Sequence, residues 1–213
     1  MIKKIIALVS CLVIVFAFSA CGDKDDKASN NSDSTTTTES KQEDTSEETT
    51  DASYEVDTTE PQESNVNIKD GVLESSNYSV DVGDDWDMTT GSDTIVFMQK
   101  KSDDALEAAS NISIMFSDQF AGMSSDESLE TLKTQYEAME DYKVESAETT
   151  KIGDYDASVV VLSSTVSETK AKLKQVCVIG ENGGAIITYT ALADVYDKSI
   201  AEIDDMIATI SLK

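Results

Sequence analysis

Histidine and arginine are both missing from the 213 residues, so all 16 basic side chains are lysine. Without histidine the chain has no side chain whose ordinary pKa lies near neutrality, no imidazole metal ligand and no imidazole to activate a nucleophile. Without arginine it lacks the planar donor fork that grips phosphate or carboxylate through two parallel bonds. Positive charge is scarce in any form, because 42 acidic residues set a formal net charge of -26. Nucleic acid is held chiefly by cations that displace its condensed counterions, so it is not expected as a partner. Cysteine is rare too. Of Cys11, Cys21 and Cys177 the first two fall in the N-terminal segment, which leaves no pair for a disulfide framework. There is no zinc-type cysteine spacing, no glycine-rich phosphate loop and no nucleophile elbow. No cofactor and no metal site are expected.

What is present begins with Lys3 and Lys4 ahead of an apolar run from Ile5 to Ala20, interrupted only by Ser10, Cys11 and Ser19. A charged start followed by about sixteen apolar residues is the layout of a signal peptide, and it is shorter than the ~20 residues a membrane span needs. The run ends in Phe18-Ser19-Ala20-Cys21-Gly22, which resembles the lipobox of bacterial lipoproteins. The resemblance implies that residues 1–20 are a leader cut before Cys21 and that the Cys21 thiol is thioether-linked to diacylglycerol. The new terminus is then open to acylation, palmitate among the candidate chains. Two or more chains would anchor the protein stably, at roughly 0.8 kcal/mol per buried methylene. The expected location is the outer face of a cell membrane.

Residues 21–66 read as a linker of Asp, Glu, Ser, Thr, Asn, Gln and Lys, including the run Thr35 to Thr38. Such a stretch cannot bury enough surface to offset its ordering entropy, so disorder is expected. Its charge, near -11 by an approximate count, makes it repel itself and extend. Its place directly after the anchor favours a spacer over a recognition tail or a cation sponge.

Hydrophobic periodicity occupies 67–213, enough for one core. Tyr78, Val80 and Val82 alternate with polar residues and Gly83 closes the run, which predicts a half-buried strand. Further strands are predicted at Ile95 to Met98, Ile112 to Phe116, Val159 to Leu162, Leu173 to Ile179 and Ala185 to Leu192. Asn182-Gly183 between the last two predicts an antiparallel hairpin. Ser124 and Glu127 have capping-box spacing ahead of the stripe Leu129, Leu132, Tyr136 and Met139. A second amphipathic helix places Ile200, Ile203, Ile207 and Ile210 on one face, with Asp194 positioned to cap its start. Hairpin-ordered strands with helices between and after them predict an α+β fold, an antiparallel sheet of about six strands covered by helices.

The Tyr78-Ser79-Val80-Asp81-Val82 strand leading into Gly83-Asp84-Asp85-Trp86, the mid-domain helix, Lys151-Ile152-Gly153, the Asn182-Gly183 hairpin and the C-terminal helix together resemble the PsbP-like family. The resemblance runs from about Ile68 to Lys213. It implies an α/β/α sandwich used mainly as a binding or assembly module, and it brings no transferable catalytic residue.

Four features carry candidate chemistry. Asp81, Asp84, Asp85 and Asp87 crowd one turn, as hard cations require, but their spacing fits no calcium loop, and a solvated acidic turn is the expectation. Trp86 could offer an exposed ring to a ligand, though a lone Trp at a strand end more often packs over the core rim. Lys170, Lys172 and Lys174 share one strand face and could meet phosphate-bearing polymers or anionic headgroups. The simpler reading is that they guard an exposed strand against edge pairing or keep its face wet. Cys177 lies among apolar neighbours and reads as a small buried hydrophobe.

These features lead to the expectation of a lipid-anchored envelope protein displaying a non-catalytic binding or assembly module for an envelope protein or polymer. The alternatives are a small envelope hydrolase or modifying enzyme and a cation- or solute-binding lipoprotein.

Overall fold

The structure is a computed structural model that describes residues 66–166 and 169–213. The expected leader, Cys21 and nearly all of the linker lie outside the described residues. The described chain runs β1 (Asn67–Lys69), β2 (Val72–Glu74), β3 (Tyr78–Asp81), β4 (Trp86–Gly91), β5 (Ile95–Lys100), β6 (Asn111–Ser117), α1 (Ser125–Glu137), β7 (Tyr142–Ile152), β8 (Tyr155–Val166), β9 (Thr169–Gly180), β10 (Gly183–Leu192), α2 (Ala193–Ile207) and β11 (Ser211–Leu212). Short 3-10 turns stand before β6 and before α1.

The strands form a seven-stranded sheet in the order β4-β5-β6-β10-β9-β8-β7 and a four-stranded sheet in the order β1-β2-β3-β11. Every pairing is antiparallel. This is the expected α+β arrangement. All six expected strands are present, and β1, β2, β4, β7 and β11 join them.

The period of two sorts the large sheet's side chains into two layers. Ile112, Ile114, Val159, Val176, Val178, Ile187 and Tyr189 face one way and share a core with Leu73, Tyr78 and Val80 of the small sheet and with Val195, Ile203 and Ile207 of α2. The register sets Val160, Leu162, Leu173, Cys177 and Ile186 on the opposite face, where α1 lies with Leu132 and Tyr136 buried. Each fully buried Leu or Ile contributes roughly 2 kcal/mol, so the two layers together hold the sheet between its helices.

Local chemistry explains the elements that periodicity did not reveal. β1 and β2 are three residues each, too short to alternate visibly, and are joined by Asp70-Gly71 with φ of 52° and 78°. Two positive φ values fit the type I′ turn that Asp-Gly favours. β7 is an edge strand exposed along most of its length, so it needs no apolar face and shows none in sequence. β4 buries Trp86 but otherwise alternates weakly.

Three local expectations are corrected. Asp194 does not cap α2: the helix starts straight off β10 with Leu192 in the capping position and no side-chain cap bond, and Asp194 adds its charge inside the first turn. Ile210 lies beyond the last turn of α2, although it is buried with the same core. The hairpin pairs Gly180 with Gly183, so its two-residue loop is Glu181-Asn182 and Gly183 opens β10. A Cβ on Gly183 would come within 2.7 Å of the Phe116 ring and 2.8 Å of the Ser117 carbonyl, a close approach that requires glycine. The capping box at α1 forms as expected: Ser124 Oγ accepts from the Glu127 N–H, and the Glu127 carboxylate accepts from the Ser124 N–H at 2.9 Å.

Candidate functional site

The acidic turn leads into β4 beside the end of β5, where lysines meet it. Lys100 Nζ bonds Glu202 at 2.8 Å and Asp85 at 3.4 Å, and Lys101 Nζ lies 3.1 Å from Asp87 and donates to the Asp84 carbonyl. Asp81 takes the Gly83 N–H. The carboxylates of Asp81, Asp85 and Asp87 are thus drawn to different partners, and among the described residues no three acidic or cysteine side chains converge on a common point.

Trp86 is buried on the core rim and its ring is covered. Lys100 Nζ sits 5.3 Å from the ring centroid, and the Tyr189 ring meets Trp86 edge-on at 6.4 Å. Tyr189 in turn stacks on Tyr196 of α2 at 5.7 Å, and Lys172 Nζ lies 5.5 Å over Tyr196. A ladder of three rings, closed by an ammonium at each end, therefore runs beneath α2. Burial alone would lower the Lys100 pKa, but its bonds to Glu202 and Asp85 outweigh that and raise it. A pocket of about 360 Å³ opens beside this ladder, lined by Lys101, Ser110, Lys198 and Ser199 among others. Sequence spacing could not reveal the ladder, because its members come from β4, β5, β9, β10 and α2.

The expected lysine face is also placed differently. β9 lies between β10 and β8 inside the sheet, so Lys172 and Lys174 guard no edge. Lys172 bonds Asp197 at 2.8 Å and Lys174 bonds Asp204, both carboxylates from α2. The lysine stems fill the flank of α2 and their charges are paired there. Lys170 is exposed near the end of the strand.

Cys177 faces α1 and is wholly buried. Burial pushes its thiol up to about 11, only partly offset by the Ser128 hydroxyl, so it stays protonated and inert near neutrality. Around it the α1 face carries a polar network. Ser128 and Ser158 hydroxyls meet at 2.8 Å, and the Tyr136 hydroxyl donates to Gln175, whose amide donates to Thr188.

A further cleft lies at the hairpin tips. It has a volume of about 720 Å³ and opens between the tips of the β7–β8 and β9–β10 hairpins, the loop at Gly122-Met123 and the chain end at Leu212. Phe116, Met123, Tyr155, Ile179 and Leu212 supply apolar surface, while Asp154, Asp156 and Glu181 stand at its edge. The strand β11 is stitched to the large sheet by the Tyr155 hydroxyl, which bonds the backbone of Leu212. Only the turn residues hint at this cleft in sequence, since its walls come from segments far apart along the chain.

Among the described residues no helix is long and apolar enough to cross a membrane. No family model matches the sequence, and no curated protein matches it. Solved structures do share its shape. A protein from Bacteroides thetaiotaomicron aligns with a TM-score of 0.50 at 16% identity over 71% of this chain, which spans 49% of that protein, about half its length. The cyanobacterial PsbP protein CyanoP from Synechocystis aligns with a TM-score of 0.46 at 11% identity, covering 69% of this chain and 89% of CyanoP. LpqN of Mycobacterium tuberculosis, described as involved in cell envelope biogenesis, aligns with a TM-score of 0.41 at 10% identity over 64% of this chain and 83% of LpqN. At these identities the likeness is one of fold.

Proposed function

We propose that the chain is a lipid-anchored envelope protein, held at Cys21, whose folded region is a PsbP-like non-catalytic binding or assembly module for another envelope protein or polymer. The observation that carries the binding reading is the cleft at the hairpin tips, a concave surface with an apolar floor and a few charged groups at its edge. Such a combination suits recognition of a partner. The anchor is supported by the apolar leader and the small residues before Cys21. The titratable groups near the clefts are engaged as ion pairs or lie at the surface, and the buried thiol is protonated, which favours a binding role over chemistry.

Two experiments test this reading. Growth on labelled palmitate should mark the wild-type chain and leave Cys21→Ala unlabelled; equal labelling of both would remove the anchor. A photo-crosslinking residue at Met123, in the cleft, should give a discrete adduct on intact cells. The same residue at Leu106, which is 52% exposed outside the cleft, should not. Identical adduct patterns from the two positions would remove the cleft as the binding surface.

A further inference from the structure

We propose that the cleft between the hairpin tips receives a basic, partly apolar peptide segment of a partner protein. The inference rests on the binding reading above and names the chemistry of the occupant.

Charge is the first argument. Asp154 and Glu181 occupy the two hairpin tips, and Asp156 joins them at the edge of the cleft. Of these three, Asp156 is met by Lys151 at 2.9 Å, on a pair exposed to solvent on both sides. Lys213 also lines the cleft, but its ammonium is turned to Glu74 and the Ser75 carbonyl, 2.7 Å from each, so its charge is already engaged. The rim is therefore left negative. A second copy of this chain or its own acidic linker would bring carboxylates to carboxylates, since the chain carries a net charge of -26. The complementary occupant is cationic.

The floor supplies the second argument. Phe116, Met123, Tyr155 and Leu212 are only half-buried and remain available for contact. A purely ionic ligand would leave that surface uncovered. An apolar side chain next to a Lys or Arg would cover it, and the cation could also lie over the Tyr155 or Phe116 ring. The mouth is open at Gly122, where an added Cβ would meet nothing within 4 Å. A small molecule needs most of its surface enclosed, whereas an extended segment laid across two hairpin tips does not.

The test is a titration of the ¹⁵N-labelled full chain, followed by amide shifts, with the peptide Ac-Lys-Phe-Lys-Phe-Lys-NH₂ and its counterpart Ac-Glu-Phe-Glu-Phe-Glu-NH₂. The expected result is shift changes confined to Gly122, Asp154, Gly183 and Leu212 with the basic peptide only. Affinity should fall about tenfold or more in Asp154→Asn/Glu181→Gln, two exposed substitutions that leave the floor intact, and should weaken in added salt. Shifts scattered over the whole acidic surface, or unchanged affinity in the double variant, would overturn the proposal as general charge attraction. Equal binding of the acidic peptide at the same amides would overturn the cationic occupant while leaving a binding cleft in place. Binding of neither peptide would overturn the proposal and leave the crosslinking test of the cleft to stand separately.

Discussion

The Tyr155 hydroxyl accepts a hydrogen bond from the Leu212 N–H at 3.1 Å and donates to the Leu212 carbonyl at 3.3 Å. Leu212 belongs to β11, the last strand of the four-stranded sheet, and Tyr155 begins β8 of the seven-stranded sheet. A single side chain thus satisfies both backbone groups on the outer edge of β11 and ties the two sheets together. Replacing Tyr155 by Phe keeps the ring and removes the tie. The expected cost is about 1 kcal/mol, since solvent can reach the partly buried site and replace part of what is lost. Urea denaturation reads the stability, and amide exchange at Leu212 should accelerate more than exchange in β9. Unchanged exchange at Leu212 would show that β11 is held by β3 alone.

Cys177 is expected to resist thiol reagents while the chain is folded. It is wholly buried, and its thiol is pushed up to about 11 by that burial. Reaction with a chromogenic disulfide at pH 8 should be slow in buffer and fast in urea, in a Cys11→Ala/Cys21→Ala background that leaves it as the sole thiol. Rapid modification of the native form would mean that α1 opens readily from the sheet.

Stability should fall on the alkaline side. Burial raises the pKa of Cys177 to about 11, and it raises Tyr78, Tyr136 and Tyr196 further still. A raised value in the folded state means that the unfolded chain releases its protons first. The stabilisation is complete below the ordinary thiol and phenol values and is lost as pH climbs above about 9 towards the folded values. Urea midpoints taken from pH 7 to beyond pH 10 should decline, and Tyr136→Phe should flatten the decline. A midpoint independent of pH over that range would contradict the burial of these groups.

The pair Lys174–Asp204 should couple weakly but measurably. Lys174 is 16% exposed in its side chain and Asp204 46%, so solvent screens the pair only in part. A double-mutant cycle with Lys174→Met and Asp204→Asn should give a coupling of about 1 kcal/mol or less, diminishing in salt. Lys174→Met alone should be tolerated, because its methylenes still fill the flank of α2. A loss of several kcal/mol would instead mean that the Asp204 carboxylate is left as an uncompensated buried charge.

Ser124→Ala should remove one half of the capping box at α1 and lower stability by about 1 kcal/mol. Helical content measured by circular dichroism should drop slightly near the unfolding midpoint. Ser125→Ala, one residue on, should change little by comparison.

The elements that were legible in sequence share a property. Val80, Ile112, Ile114, Val176, Ile187 and Leu132 sit in strands or helices with one dry face, so burial wrote a repeat into the residue types. β7 has no dry face, and β1, β2 and β11 are too short to repeat, so their residues carry no such record. Asp70-Gly71 is the one local trace of the first hairpin. The same logic separates the candidate sites. Cys177 and Trp86 are buried as expected: Cys177 lies in an apolar run that is dry on both faces of the sheet, and the Trp86 ring at a strand end packs over the core rim. Of the two simple readings of Lys172 and Lys174, guarding an edge fails, because strand order in a sheet is not encoded within a strand.

Sequence alone therefore determined the capped helix α1, the six apolar strands and the α+β class. Each follows from contacts between residues close along the chain. The tertiary structure decided the rest: the central position of β9, the ring ladder beneath α2, and the cleft at the hairpin tips with its negative rim. These depend on which strands pair and which loops meet, and that is set by the joint burial of side chains far apart in sequence, which no local pattern records.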